Sequence, residues 1–340
     1  MSIRVRMYLT ENKRNYQMLD IIRECEGAKR IGISGHVRPD GDAISSCLAL
    51  RKYLLNVFPE AEVDVNLENP IPTIFDGEAG YELIKRDFPD GVSYDVYFAL
   101  DCNRERLGSA GKYFDAAGKR INIDHHESNK EGVGDVNAIE PDISSTCELL
   151  YTLFDKKYVD KETAVCIFTG MVTDTGVFQY SCTSPETMRR AAELMEYGFD
   201  HSALIQRAFY EKTYLQTQIL GRCLMESVRF MDGKCVVSWI DRKTQDFYQV
   251  TSKDFEGIVS QLRNIRGVDV SIFMYETENL EYKVSMRSSE KVNVAQIAVR
   301  FGGGGHARAA GCTMSGTVYD CVNNLSKYID KQLNAGPEGA

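Results

Sequence analysis

The sequence predicts an α/β fold: a mostly parallel sheet flanked by helices, followed by a smaller α/β domain. Two observations lead to it. In the first half, short apolar runs alternate with stretches of helical spacing, the pattern of a parallel sheet covered on both faces. In the second half, strands follow one another closely, as hairpins do. No run of about 18 apolar residues occurs in the 340-residue chain, so no membrane-spanning helix is expected.

The elements follow in order. Candidate strands are Arg30–Ser34, Glu62–Leu67, Tyr94–Leu100 and Arg120–Ile123. Ile44, Cys47, Leu48 and Leu54 share one helical face. Thr163–Thr173 is apolar almost all round and reads as a buried helix. Ser145 and Glu148 form a capping-box pattern before Leu149 and Leu150. Residues 184–225 read as mainly helical. Strands are then expected at Cys235–Ile240, Val268–Glu276 and Glu281–Arg287, the last two joined by a hairpin through Thr277–Leu280. A helical pattern, VNVAQIAVRF, leads into Gly302–Gly305. The final NAGPEGA reads as a frayed tail. These elements place one domain at 15–195, a helical linker at 196–225 and a second domain at 226–335.

Composition narrows the function. The chain is 43% hydrophobic and 26% charged, which suits a globular protein. Its start, MSIRVRMYLTENKRNYQ, lacks the apolar core of a secretion signal, so a cytoplasmic location is expected. The ten cysteines are scattered with no CxxC pair, which reads as reduced core thiols. A formal net charge of −9 argues against long duplex nucleic acid as a partner. It leaves small phosphorylated ligands open, because bound cations reverse the local sign at a carboxylate-rich site.

The chemistry gathers at strand ends. The first strand runs into Gly35-His36-Val37-Arg38-Pro39-Asp40-Gly41-Asp42, the third ends at Asp101, and the fourth at Asp124-His125-His126. The buried helix ends at Asp174. In an open parallel sheet, ligands bind outside the carboxyl ends of the strands, so these segments are expected to converge on one rim. Each residue alone has an ordinary reading: Asp42 as an N-cap, Asp174 as a turn residue, Asp124 as a backbone partner. Together they are costly to bury without cations. Carboxylate and imidazole ligands suit Mn²⁺ or a similar ion better than structural zinc, with Mg²⁺ and Co²⁺ as alternatives. Two such ions can share a carboxylate, acidify water and clamp a phosphoryl group.

The segments HVRPDGDAISS, ALDC, DHH and TDTG resemble, in order and spacing, the four motifs of the DHH phosphoesterase superfamily. GGGGHARAAG (302–311) resembles the signature of its DHH-associated domain. The whole is similar to the stand-alone nano-RNase and 3′-phosphoadenosine-5′-phosphate phosphatase subfamily. That resemblance implies a DHH catalytic domain and a DHH-associated substrate-binding domain with a catalytic cleft between them. It implies His36 and Asp40 on a first metal ion, and Asp42, His125 and Asp174 on a second. Asp101 would bridge both. Asp124 would orient a metal-ligating histidine, and His126 would face the substrate phosphate.

For substrate binding the resemblance points to Arg106, Arg287, Gly303, Gly304, Gly305, His306 and Arg308. Glycines let a backbone approach an anion closely, and arginine grips phosphate well. His201 fits no motif and reads as structural. The expected activity is hydrolysis of short RNA, about two to five residues long, to mononucleotides, and of 3′-phosphoadenosine-5′-phosphate to AMP. A cyclic or linear dinucleotide phosphodiesterase uses the same motifs. A catalytically silent nucleotide sensor is the alternative of another class. Partners are small nucleotides or short RNA, not membranes, and a homodimer is compatible with the sequence.

Overall fold

The structure, a computed structural model, describes residues 19–334. The N-terminal segment read for targeting and all but the first residue of the terminal NAGPEGA lie outside the described residues. The chain divides into two compact units between Glu211 and Lys212.

In the first unit the elements are α1 (Ile21–Glu24), β1 (Arg30–Ser34), α2 (Gly41–Val57), β2 (Glu62–Val65), β3 (Val96–Leu100) and α3 (Gly111–Ala116). They continue with β4 (Lys119–Asp124), β5 (Val136–Ile139), α4 (Thr146–Leu153), α5 (Lys161–Asp174), α6 (Pro185–Met195) and α7 (His201–Ile205). The sheet is all parallel, in the order β2-β1-β3-β4-β5. After β2 the chain returns to the other side of β1. The strand order therefore reverses between β1 and β3, where such sheets open a crevice at their carboxyl ends.

Apolar side chains hold this arrangement. Ile31 and Ile33 of β1, Phe98 and Leu100 of β3, and Ile121 and Ile123 of β4 are fully buried. Leu48, Leu50 and Leu54 of α2 and Ile167, Phe168 and Met171 of α5 join the same core. Truncating any one of these leucines to alanine costs about 2–5 kcal/mol. Such burial fixes the strand ends, and hence the residues just beyond them.

Some boundaries differ from those expected. β2 stops at Val65, and Asn66 continues only as an isolated bridge to Lys85. β3 starts at Val96; just before it, the Asp95 carboxylate accepts from the backbone N–H groups of Lys29 and Arg30, at 2.8 Å each, while its own backbone still bonds Arg30 and Lys119. β5 was not foreseen; it is four residues long and largely half-exposed, too short for a clear alternation. At α4, Ser145 caps the helix by accepting from the Glu148 N–H. The Glu148 carboxylate instead accepts from the Ser144 N–H and from the hydroxyls of Ser144 and Thr187, and pairs with Arg190. The expected reciprocal box is thus replaced by a buried network.

The second unit holds α8 (Tyr214–Met225), β6 (Val228–Phe230), β7 (Cys235–Ile240), α9 (Arg242–Tyr248), α10 (Ile258–Arg263), β8 (Val270–Glu278) and β9 (Glu281–Ser288). It ends with α11 (Val294–Arg300), β10 (Gly304–His306), β11 (Ala309–Ser315) and α12 (Val318–Asn334). Its six-stranded mixed sheet runs β10-β11-β9-β8-β7-β6, with only β7 and β8 parallel. The hairpin turn is tighter than expected, because β8 continues to Glu278 and Leu280 takes a φ of 57°. Nine cysteines are buried and Cys182 is exposed. Among the described residues, no helix is long and apolar enough to cross a membrane.

Candidate metal centre

Beyond β1, the chain delivers His36 and then Asp40. Asp40 is the N-cap of α2: its Oδ1 accepts from the Ala43 N–H at 3.1 Å. The capping role considered for Asp42 therefore belongs to Asp40. Its second oxygen stays available and lies 3.5 Å from His36 Nε2. His36 Nδ1 donates to the Val37 carbonyl at 3.0 Å, which leaves Nε2 as the free ligand atom.

Asp101 follows β3 in the left-handed region, with φ 60°. Asp and Asn tolerate that region better than most residues. The conformation turns the carboxylate inward, where it is 1% exposed. Its Oδ2 lies 3.5 Å from His36 Nε2, and its Oδ1 lies 3.5 Å from His125 Nε2. One carboxylate thus faces two groups with different oxygens.

Asp42 points from the first turn of α2 to the start of α4. Its Oδ2 accepts from the Thr146 N–H at 2.7 Å and its Oδ1 from the Cys147 N–H at 3.0 Å. Gly170 of α5 makes room for this approach, since a Cβ there would sit 2.7 Å from Asp42 Oδ1 and 2.2 Å from Cys147 Sγ. Asp174 ends α5 and brings Oδ2 to 3.4 Å from His125 Nε2.

The ligand atoms form three overlapping groups, each spanning less than 4.8 Å: His36, Asp40 and Asp101; Asp42, His125 and Asp174; and Asp101, His125 and His126. Every residue expected to hold metal is in one of them. Their electrostatics suit cations. Burial, followed by the nearby Asp101 charge, pushes Asp42 up to about 7. Burial, then Asp42 and Asp101, pushes Asp174 up to about 9. Burial works against a charged His36, but hydrogen bonds to Asp101 and Asp40 outweigh it and raise the imidazole to about 10. Burial and mutual repulsion make ionised Asp42 and Asp174 costly, a cost that divalent cations would relieve. The oxygen and imidazole donor set, with no thiolate within it, fits such ions.

The adjacent histidines have different surroundings. His125 directs Nε2 at Asp101 and Asp174. His126 donates from Nδ1 to Asp124 Oδ1 at 2.8 Å. An ionised carboxylate can only accept, so Nδ1 carries the proton and is lost as a ligand, although Asp101 Oδ1 is 3.4 Å away. This corrects the expectation for Asp124. It holds His126, which was read as substrate-facing, and not the metal-directed His125, whose Nδ1 lies 3.4 Å from the Ile143 carbonyl. The Asp124 hydrogen bond raises His126 above the usual histidine range. Arg106 is exposed in the turn after Asp101, and its charge acts on both Asp40 and His126.

Three residues of the site were not foreseen. Thr146 Oγ1 donates to Asp101 Oδ1 at 3.0 Å, the Cys147 N–H holds Asp42, and Asn129 donates to Asp124 Oδ2 at 2.8 Å. Ser145-Thr146-Cys147-Glu148 is visible in sequence as a helix start, but nothing local shows that it faces Asp42 and Asp101, 104 and 45 positions before Thr146.

The other expected substrate residues lie in the second unit. His306 and Arg308 are exposed, and Arg287 is half-buried on β9. The Arg308 guanidinium donates to the carbonyls of Ser289, at 2.8 Å, and Val292, at 3.1 Å. Gly303 and Gly305 have a packing reason of their own: a Cβ would meet the Gly311 carbonyl at 2.1 Å or the Ala309 carbonyl at 2.5 Å. Around Gly304 the space is open. His201 is exposed as the first residue of α7, which is capped by Asp200.

Comparison with known proteins agrees with these two units. Residues 30–171 match the DHH family, N-terminal domain, and residues 232–335 match the DHHA1 domain. A bifunctional oligoribonuclease and PAP phosphatase NrnA of Thermus thermophilus is 32% identical over 304 residues, 88% of each chain. One of Bacillus subtilis is 27% identical, covering 87% of this chain and 92% of its own. The crystal structure of an exopolyphosphatase-related protein from Bacteroides fragilis superposes with a TM-score of 0.82 at 28% identity, over 91% of this chain and 94% of that one.

Proposed function

The chain belongs to the DHH family, and from that premise we propose that it is a two-metal phosphoesterase that hydrolyses very short RNA to mononucleotides and 3′-phosphoadenosine-5′-phosphate to AMP. The observation that carries this reading is Asp101, whose two oxygens face separate sets of metal-competent atoms. His36 and Asp40 would hold one ion, Asp42, His125 and Asp174 the other, and Asp101 would contribute to both. Mn²⁺ suits the mixed imidazole and carboxylate donors best. Bound cations polarise phosphoryl oxygens and lower the pKa of water.

The protein's own groups then divide the work. Asp124 keeps His126 in one tautomer, with Nε2 left to meet a phosphate oxygen. The Asp124 hydrogen bond raises the proton affinity of His126, which suits it to hold a proton toward that anion. Arg106 adds positive charge on the same side. In the second unit Arg287, Arg308, His306 and the open Gly304 backbone bind the nucleotide. The similar NrnA proteins, named for oligoribonuclease and PAP phosphatase activity, support this choice of substrate. So does the net charge of −9, which disfavours polymeric duplex. The proposed setting is the cytoplasm.

A substrate panel with Mn²⁺ tests the reading. It comprises 3′-phosphoadenosine-5′-phosphate, RNAs of two to five residues, linear and cyclic dinucleotides, polyphosphate and pyrophosphate. The short RNAs and the bisphosphate should turn over fastest. Preferred turnover of a cyclic dinucleotide or of pyrophosphate would replace the proposed substrate class.

A further inference from the structure

The start of α4 touches two of the acidic residues assigned to metal, Asp42 through backbone N–H groups and Asp101 through one side chain that no ligand set includes. Thr146 is fully buried. Its N–H donates to Asp42 Oδ2 at 2.7 Å and its hydroxyl to Asp101 Oδ1 at 3.0 Å. We propose that Thr146 is a positioning residue that sets the rotation of the Asp101 carboxylate, so that Oδ2 faces the His36 group while Oδ1 faces the His125 group. This rests on the two-metal reading above and deepens it.

The geometry supports the role in three ways. First, a carboxylate is free to rotate about its last bond unless a directional contact stops it. Beyond the histidines, the Thr146 hydroxyl is the side-chain hydrogen bond Asp101 receives among the described residues. Second, the hydroxyl can only donate here, because an ionised carboxylate only accepts. It occupies one lone pair of Oδ1 and leaves the other directed at the His125 side. Third, the turn that carries Thr146 is itself fixed. Buried Glu148 accepts from the Ser144 N–H at 3.2 Å, from the Ser144 hydroxyl and from Thr187 Oγ1 at 2.9 Å, and it pairs with Arg190 of α6. Thr146 therefore cannot swing away without breaking a buried charged network.

Two effects oppose each other when the hydroxyl is removed. Losing a donor frees a lone pair of Asp101 Oδ1, which favours cations. Losing the orientation spoils the shared geometry, which disfavours them. Removing groups that orient metal ligands commonly costs about 10–100-fold in metal affinity or activity, so orientation should win.

The test uses the full chain stripped of metal, with Mn²⁺ alone as the probe. Thr146→Val keeps the shape and the backbone N–H but removes the hydroxyl; Thr146→Ser keeps the hydroxyl. Calorimetric titration should show Mn²⁺ affinity about tenfold or more weaker in Thr146→Val and within about threefold of wild type in Thr146→Ser. Electron paramagnetic resonance of the loaded wild type should show an exchange-coupled pair, replaced in Thr146→Val by the six-line spectrum of isolated ions. Metal-free melting temperatures report whether either variant has merely lost its fold. Unchanged or tighter Mn²⁺ binding with an intact coupled spectrum in Thr146→Val would overturn the proposal. A wild type that binds no Mn²⁺ pair would overturn the two-metal reading instead.

Discussion

His36 Nε2 and Asp101 Oδ2 lie 3.5 Å apart across the place where the strand order reverses, between β1 and β3. Ser34 is in register with Ala99, so the two residues leave the sheet at the same level. The parallel topology brings the imidazole to the carboxylate, and the left-handed backbone at Asp101 completes the approach.

Asp101→Asn should preserve the fold, since asparagine also tolerates a φ of 60°. It removes the charge shared by both ligand groups. Phosphoryl stabilisation by metal is worth several kcal/mol, so kcat/KM should fall by on the order of 10³-fold or more. Kinetics with saturating Mn²⁺ checks this. Near-normal turnover would show that Asp101 does not join the two sites.

His125 and His126 should fail differently. His125→Ala removes an imidazole aimed at Asp101 and Asp174, so Mn²⁺ affinity should drop. His126→Ala removes a group tied to Asp124, so turnover should drop with metal still bound. Metal titration and kinetics on both variants decide the matter. Equal loss of bound metal would contradict the division.

Much of this site was legible because its residues sit at strand ends, and apolar runs mark strand ends well. Ile31–Ser34 and Phe98–Leu100 announce His36 and Asp101 almost by themselves. Thr146 stayed hidden because its partners Asp42 and Asp101 are distant in sequence, and Asn129 because its spacing from Asp124 matches no regular periodicity. The partner of Asp124 was misjudged for a local reason: His126 folds back on it through both its N–H and Nδ1, a two-residue turn that spacing alone does not show. In the second unit, α12 was overlooked although Val318, Cys321, Leu325 and Ile329 recur at helical spacing and are buried. The glycine run looked like a ligand loop, yet Gly303 and Gly305 are also required by the close packing of β10 on β11.

Glu78 provides a pH test away from the metal ligands. It is buried, accepts from Ser45 Oγ at 2.8 Å, and has a second oxygen without a hydrogen-bond partner. Burial raises it from about 4.5 to about 8. The folded state therefore holds a proton that the unfolded state releases. Glu78's contribution is full below about 4.5 and is lost as pH rises to about 8. Glu78→Gln should gain stability relative to wild type across that window and level off above it. Urea unfolding of both proteins in chelator, from pH 5 to 9, reads the difference. A constant difference would contradict the assignment.

Arg308→Ala tests the second unit. A charge-assisted contact is worth about 1.5–3 kcal/mol, or roughly ten- to a hundredfold. The variant should lose that much kcat/KM on dinucleotides and on 3′-phosphoadenosine-5′-phosphate. It should retain activity on bis-p-nitrophenyl phosphate, a generic ester with no nucleotide to bind. Because Arg308 also ties the Ser289 and Val292 carbonyls, melting temperature is measured alongside. Equal losses on all substrates would mean that Arg308 acts through folding.

The central claim is that His36, Asp40, Asp42, Asp101, His125 and Asp174 would hold the cations with which the protein hydrolyses short nucleotides. The most direct measurement is Mn²⁺ titration of metal-stripped protein while the cleavage of a diribonucleotide is followed. The account predicts no turnover in chelator, recovery as two equivalents of Mn²⁺ bind, and mononucleotides as products. Two bound equivalents without cleavage, or cleavage that persists in chelator, would contradict it.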